Sequence, residues 1–247
     1  LDGGIDLHCV EPASGKLLST TPIYSPDPQT GRQPPQSAPA VMPGAREDLL
    51  SSDAGHVCLR DLVFDLQGAP LTEGNQHLFT LTGFLDDAWS HRSYWIFGTQ
   101  CSLATGCSGR DKHLLYGRLL VFDEAAIYGF GRKTVHWSNA LEDGPYRLFA
   151  VKRDAGTRQW EQAVPIQVRA LILAGGVLYA AGPVAADRQI TLDPQAPVWL
   201  LALAASDGRE LARYPLDAPP VFDGLAAARG RLYAALENGR VVCLGPR

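Results

Sequence analysis

The densest set of side chains that could do chemistry lies between residues 86 and 95. Asp86, Asp87 and His91 supply two carboxylates and an imidazole within six residues, and Arg92 adds a guanidinium. Carboxylates and imidazoles are ligands for divalent metal ions, and a carboxylate beside an arginine can act as a general base. One interpretation of this spacing is therefore a metal-assisted hydrolase with its catalytic residues at these four positions.

Three aromatic residues of the same segment, Trp89, Tyr94 and Trp95, are candidates for ligand binding. A strand would place Asp87, Trp89 and His91 on one face. The competing interpretation is a structural turn, in which an aspartate accepts backbone N–H bonds and the tryptophans pack between sheets. The sequence leaves both interpretations open.

Two of the five cysteines, Cys101 and Cys107, lie close together and flank a loop-like segment. A disulfide could close this segment if the protein is exported. The surrounding loop, residues 99–113, is an insertion relative to the other repeats, and such insertions often form a binding face. The structural alternative is a tolerated surface loop. The remaining cysteines are expected at buried strand positions: Cys9, Cys58 and Cys243.

The composition indicates a globular chain with many turns. The 247 residues are 46% hydrophobic and 19% charged, which argues against disorder, and 25 glycines and 18 prolines favour many short elements. The net charge of −4 and the scattered basic residues argue against a nucleic-acid partner. No apolar run approaches the roughly 18 residues of a membrane span. The Pro-rich stretch 21–43 predicts a long loop or a polyproline segment presented to a partner.

Four copies of one phrase run through the chain. Each copy is an apolar run, a short turn and a second apolar run ending at Cys or Tyr, and the copies occupy residues 49–58, 119–128, 170–179 and 224–233. Their ends are 70, 51 and 54 residues apart. This spacing indicates a unit of about fifty residues with an insertion in the first interval.

A second phrase consists of a strand, a polar turn closed by Gly15, Gly156 or Gly208, and another strand. Glycine supplies the positive φ that a tight hairpin needs. Four strands in each unit of about fifty residues are typical of a β-propeller blade. A β-sandwich would explain the alternating strands and the turns but not the matched phrases.

We therefore predict an all-β fold, a β-propeller of about four four-stranded antiparallel blades. Residues 1–247 would form a single propeller domain or a propeller fragment. The blades would close into a small ring or form part of a larger one. An incomplete ring would expose apolar blade faces and favour a homodimer.

The repeats resemble the PQQ-like β-propellers of bacteria, a superfamily that includes quinoprotein dehydrogenases. Residues 8–18 and 202–212 are similar to the family's strand, Asp-x-x-Thr-Gly-Lys turn and outgoing strand, and residues 230–244 are similar to its link between blades. The dehydrogenases hold the quinone with adjacent cysteines, a tryptophan platform and a metal bound by Glu, Asn and Asp. Adjacent cysteines and a Cys-x-x-Cys-His motif are absent from this sequence. The resemblance therefore implies the fold without the PQQ site.

These observations favour a non-catalytic module that binds a protein or carbohydrate partner. The resemblance implies an exported bacterial protein, located in the periplasm or outside the cell. We expect no cofactor, except a divalent metal if the hydrolase interpretation holds. A quinone-dependent oxidoreductase is the second alternative, and the missing PQQ site argues against it. Neither a nucleic-acid partner nor a membrane span is expected.

Overall fold

The computed structural model describes ten stretches of the chain: residues 5–24, 27–32, 49–59, 62–72, 76–80, 95–99, 115–131, 146–154, 156–185 and 195–245. These stretches form twenty β-strands and no helix. Consequently, they contain no helix that is long and apolar enough to span a membrane.

The strands of the described residues form six sheets, and each strand pairs with its neighbours in sequence. Three sheets have four strands: β3–β6 (Ser51–Asp53, His56–Leu59, Leu62–Asp65, Pro70–Leu71), β10–β13 (Leu119–Phe122, Ala126–Gly131, Arg147–Lys152, Arg158–Gln162) and β14–β17 (Ala170–Ala174, Val177–Pro183, Val198–Ala204, Glu210–Leu216). The others are β1–β2 (Ile5–Val10, Leu17–Tyr24), β7–β9 (His77–Thr80, Trp95–Gly98, Leu115–Gly117) and β18–β20 (Pro220–Ala228, Arg231–Leu236, Val241–Leu244). Every strand pair with a recorded register is antiparallel.

The chain divides into two compact units, residues 1–85 with 96–114 and residues 86–95 with 115–247. In the first unit, β2 is held to the turn between β5 and β6. The Thr21 hydroxyl donates a hydrogen bond to the Gly68 carbonyl oxygen at 2.7 Å. Half-buried and exposed residues alternate along β1, which is the pattern of a strand with one covered face.

In the second unit, sheet β14–β17 packs against a neighbouring sheet on each side. One face forms an apolar cluster with sheet β10–β13, and the other face forms a second cluster with sheet β18–β20. The consecutive residues Leu200 and Leu201 belong to different clusters, because successive side chains of a strand point to opposite faces. Burial of each such leucine contributes roughly 1.5–3 kcal/mol.

Trp160 of β13 fixes sheet β10–β13 to the turn between β16 and β17. The indole Nε1 donates a hydrogen bond to the Ala205 carbonyl oxygen at 2.9 Å, and the Gln162 amide donates one to the Gly208 carbonyl oxygen at 2.5 Å. Gly208 has a φ of +77°, and a Cβ there would lie 2.8 Å from the indole. Both the turn and this close contact therefore require glycine.

The predicted fold class is confirmed: the chain is all-β, and its sheets are the antiparallel meanders of propeller blades. The expected count of about four four-stranded blades differs from the structure, because the described residues form six sheets, of which three have four strands. The hairpin glycines Gly15, Gly156 and Gly208 have the predicted positive φ, at 70°, 62° and 77°. The four repeated phrases fall on the first two strands of the sheets that begin at β3, β10, β14 and β18. The long first interval, interpreted as an insertion, also contains the three-stranded sheet β7–β9.

Two local expectations differ from the structure. The loop predicted for residues 21–43 begins later, because β2 continues through Tyr24. Pro22 is tolerated in β2 because this strand pairs only with β1 within the described residues, so its other edge needs no N–H donor. Cys58 is buried as expected and Cys9 is half-buried, whereas Cys243 is exposed.

Candidate functional site

Most residues of the predicted site lie outside the described stretches of the chain. This applies to the four catalytic candidates, to two of the three aromatic candidates and to both residues of the predicted disulfide: Asp86, Asp87, His91, Arg92, Trp89, Tyr94, Cys101 and Cys107. They stay predictions. Trp95 is described, begins β8 and is 7% exposed. In the described stretches, no three His, Cys, Asp or Glu residues are grouped so that they could hold a metal ion.

A group of polar residues lies where the first strands of three sheets begin. We call Arg118, Gln167, Arg169 and Asp223 the strand-start cluster. Arg118 and Arg169 directly precede β10 and β14, and Asp223 lies in β18 just before its regular pairing with β19. Strand β14 contacts both β10 and β18, so the fold brings these starting points together.

Backbone bonds and side-chain contacts connect the strand-start cluster. The Asp223 amide donates a hydrogen bond to the Arg169 carbonyl oxygen at 2.8 Å. The Arg118 guanidinium lies over the Phe222 ring, 5.2 Å from its centroid. The Arg169 guanidinium pairs with Glu237 at 2.8 Å. A buried arginine needs such partners, because an uncompensated charge away from water is strongly destabilising.

Asp223 combines exposure to solvent with a crowded protein environment. The residue as a whole is exposed, and burial of its carboxyl among the surrounding protein atoms raises the pKa of this group to about 6. Its φ of 54° is unusual for a residue with a side chain, although aspartate tolerates this region better than most residues. The Asp223 carboxyl therefore titrates closer to neutral pH than an ordinary aspartate does.

The sequence contains a signal for this cluster that none of the motifs above includes. The residue directly before each of the four repeated phrases is charged: Asp48, Arg118, Arg169 and Asp223. A charge at one fixed position of an otherwise apolar repeat is informative, because repeats place equivalent residues at equivalent sites. Of these four positions, Asp48 lies outside the described residues.

A second feature is an open cleft of about 710 Å³ between sheets β14–β17 and β18–β20. We call it the tyrosine–arginine cleft, after Tyr179, Tyr214, Arg229 and Arg231 in its lining. Leucines from both sheets complete the walls, and Tyr214 is 46% exposed. The cleft thus offers apolar walls, phenol groups and two guanidinium groups to solvent.

The tight turn between β18 and β19 positions the two arginines of the cleft. Arg229 and Gly230 both have positive φ, at 50° and 71°, as a two-residue hairpin turn of type I′ requires. Ala54 and Gly55 have the same signs in the turn between β3 and β4, so this backbone conformation is a feature of the repeat. The arginine side chain at this turn is not required by the hairpin.

Comparisons with known proteins give no family assignment. No family model and no curated protein matches the sequence. The computationally designed protein Ika4 is 10% identical, with 82% of this chain and 87% of that chain covered and a TM-score of 0.36. BamB from Moraxella catarrhalis is 16% identical, with 96% of this chain and 66% of that chain covered and a TM-score of 0.45. Similarities this low assign no function, because one fold hosts many functions.

Proposed function

We propose that this chain is a non-catalytic propeller module that binds a protein partner through the tyrosine–arginine cleft. The observation that carries the proposal is the lining of the cleft. Tyrosine and arginine are the residue types that, with tryptophan, most often anchor protein interfaces, where they fill desolvated pockets near the centre of the contact. Here two of each line one cleft beside leucines from both sheets.

The charge of the cleft indicates the chemistry of the partner. None of the recorded ion pairs of the described residues involves Arg229 or Arg231. A partner segment with aspartate or glutamate side chains would form charge-assisted hydrogen bonds with these guanidinium groups. We therefore expect an acidic surface on the partner, with an apolar residue against the leucines.

Site-specific photo-crosslinking in the cells that make the protein tests this proposal. A photoreactive phenylalanine at position 214 lies in the cleft, whereas the same residue at position 211 lies on the same strand but outside the cleft lining. Tyr214 and Leu211 are both 46% exposed, so they form a matched pair. We expect one protein to crosslink from position 214 and not from position 211.

Charge reversal then connects the crosslink to the cleft. Arg231→Glu should reduce the crosslinking yield from position 214 at least tenfold. Lys152→Glu makes the same charge change at an exposed position of β12 and should leave this crosslinking yield unchanged. Equal crosslinking from positions 214 and 211, no crosslinked protein, or equal effects of the two reversals would overturn the proposal.

The proposal also includes an exported location, in the periplasm or outside the cell, and a homodimer if the propeller ring is incomplete. The proposed exported location rests on the resemblance of the repeats to exported bacterial propellers. Fractionation of the producing cells tests the location, and light scattering coupled to size exclusion tests the dimer.

A further inference from the structure

Strand β20 forms an open edge of sheet β18–β20. Three other sheets continue on the corresponding side with a fourth strand, β6, β13 or β17, whereas β20 pairs only with β19 within the described residues. Val241, the first residue of β20, is 70% exposed, which is the largest exposed fraction among the large apolar side chains of those residues. Sheet β18–β20 can therefore accept one more strand beside β20.

The backbone of β20 presents hydrogen-bonding groups at this edge. The Leu236 amide of β19 donates a hydrogen bond to the Arg240 carbonyl oxygen at 2.8 Å, just before β20 begins. In an antiparallel ladder, residues that bond to the neighbouring strand alternate with residues that do not. Val242 therefore turns its N–H and C=O groups toward β19, and Val241 and Cys243 turn theirs toward the open edge. An additional strand can pair with these groups.

The outer strands of the four-stranded sheets are protected against such pairing, and β20 is not. Proline stands in β6 and in β17, at Pro70 and Pro215, and β13 carries the charged residues Arg158 and Glu161. Prolines and charges keep an edge strand from pairing with another chain. Strand β20 contains neither, and its pairing with β19 has no register shift. Its edge is therefore suited to pairing with a further strand.

Arg231 gives this edge a positive charge. Leu232 lies opposite Leu244, so Arg231 lies beside Gly245, which directly follows β20. A Cβ at Gly245 would lie 3.2 Å from Arg231 Cγ, so the arginine stem passes beside this backbone where glycine leaves space. Neighbouring strands are only about 4.7–4.9 Å apart. A carboxylate on an added strand, opposite Gly245, would therefore come within reach of the guanidinium and form a charge-assisted bond.

The same charges argue against a second copy of this chain at the edge. Residues 240–245 contain no aspartate or glutamate that could face Arg231. Two β20 strands paired antiparallel about Val242 or Cys243 would also place Arg240 of the second copy within one residue of Gly245, close to Arg231. Like charges on neighbouring strands are destabilising. An acidic segment of a different protein therefore fits this edge better than a second β20.

We propose that β20 accepts an extended acidic segment of the partner protein as a fourth, antiparallel strand of sheet β18–β20. This inference rests on the proposed function, because Leu244 and Gly245 belong both to this edge and to the lining of the tyrosine–arginine cleft. Backbone groups of the segment bond to Val241 and Cys243, and a carboxylate opposite Gly245 pairs with Arg231. In strand addition of this kind, the main-chain bonds give affinity and the side chains give specificity.

Cys243→Pro tests the backbone pairing. Proline at this position removes an N–H group that faces the open edge and leaves the bonds between β19 and β20 in place. Cys243→Ser is the matched control, because it changes the same side chain and keeps the N–H group. We expect Cys243→Pro to reduce photo-crosslinking from position 214 at least tenfold and Cys243→Ser to leave it unchanged. Thermal melts show whether both variants are folded.

Hydrogen exchange with synthetic peptides tests the same edge of the unmodified chain without the partner. The probes are octapeptides with blocked ends that alternate valine with glutamate, with lysine or with serine. At saturating concentration, the glutamate peptide should slow exchange of the Val241 and Cys243 amides at least tenfold, and the lysine peptide should not. In the Arg231→Glu variant, this preference should reverse.

The outcomes separate this inference from the proposed function. Crosslinking from position 214 that survives Cys243→Pro would overturn the strand pairing and leave the function of the cleft in place. If no protein crosslinks, the proposed function fails, and the peptide experiment alone decides whether β20 accepts a strand. The inference is wrong if no peptide protects the two amides, if the glutamate and lysine peptides protect them equally, or if their protection rises with the concentration of the chain alone.

Discussion

Replacing Asp223 with asparagine should make the chain more stable, and the gain should depend on pH. The substitution keeps the size of the side chain and removes the negative charge. Asparagine is also among the residues that best tolerate a positive φ, and φ at this position is 54°. The change in stability therefore reports on the charge and not on backbone strain.

The size of the effect follows from the pKa of the carboxyl. Burial raises this pKa from its ordinary 3.8 to about 6. A pKa difference of this size means that the charged carboxyl lowers the free energy of unfolding by about 3 kcal/mol if no water reaches the group. Because Asp223 is an exposed residue, solvent screening reduces the expected cost of the charge to about 1 kcal/mol.

The sign follows from proton binding. The folded chain holds the Asp223 proton more tightly than the unfolded chain does, so this group lowers stability as the pH rises from about 3.8 to about 6. Above that range its effect is constant. The free energy of unfolding of the Asp223→Asn variant should therefore equal that of the unmodified protein near pH 3.5 and exceed it by about 1 kcal/mol at pH 7.

Urea unfolding of both proteins at pH 3.5, 5, 6 and 7 measures this difference. The slope with urea should be the same for both proteins, because the substitution does not change the surface exposed on unfolding. A difference that stays constant over the whole pH range would refute the reasoning, since it would show that the carboxyl titrates alike in the folded and unfolded chains.

Two further substitutions test the packing of the second unit. Gly182→Ala would place a Cβ 1.8 Å from the Gln167 carbonyl oxygen, so the free energy of unfolding measured in urea should fall by about 3 kcal/mol. An unchanged urea concentration at the midpoint of unfolding would contradict this close approach. Trp160→Phe removes the donor to the Ala205 carbonyl oxygen and should lower the free energy of unfolding by about 1–2 kcal/mol. A thermal melt that matches the unmodified protein would show that this bond does not join the two sheets.

The repeats made the fold predictable because they carry their constraints in the local sequence. A tight hairpin needs a residue with positive φ, and Gly15, Gly156 and Gly208 mark this position in three copies. The alternation of apolar residues then sets which face of each strand is covered. Sheet β7–β9 was missed because its short strands carry no copy of either phrase and are separated by long connecting segments.

The candidate sites were harder to predict because they depend on contacts between sheets. Tyr179 ends one repeated phrase, and the sequence alone did not separate it from a core residue. Arg231 belongs to a different sheet, and only the packing of the two sheets makes both part of one cleft.

The position of sheet β14–β17 between two other sheets has a consequence for how the second unit unfolds. In the part of the chain that the structure describes, each strand pairs with its neighbours in sequence, so each sheet can form from local contacts. None of these sheets buries its faces alone. The stability of the unit is therefore approximately the sum of the stabilities of the single sheets and of the interfaces between them, as in a linear array of repeats. The middle sheet contributes to two interfaces. Opening the middle sheet therefore breaks both of these interfaces at once, whereas fraying of either flanking sheet breaks only one of the two.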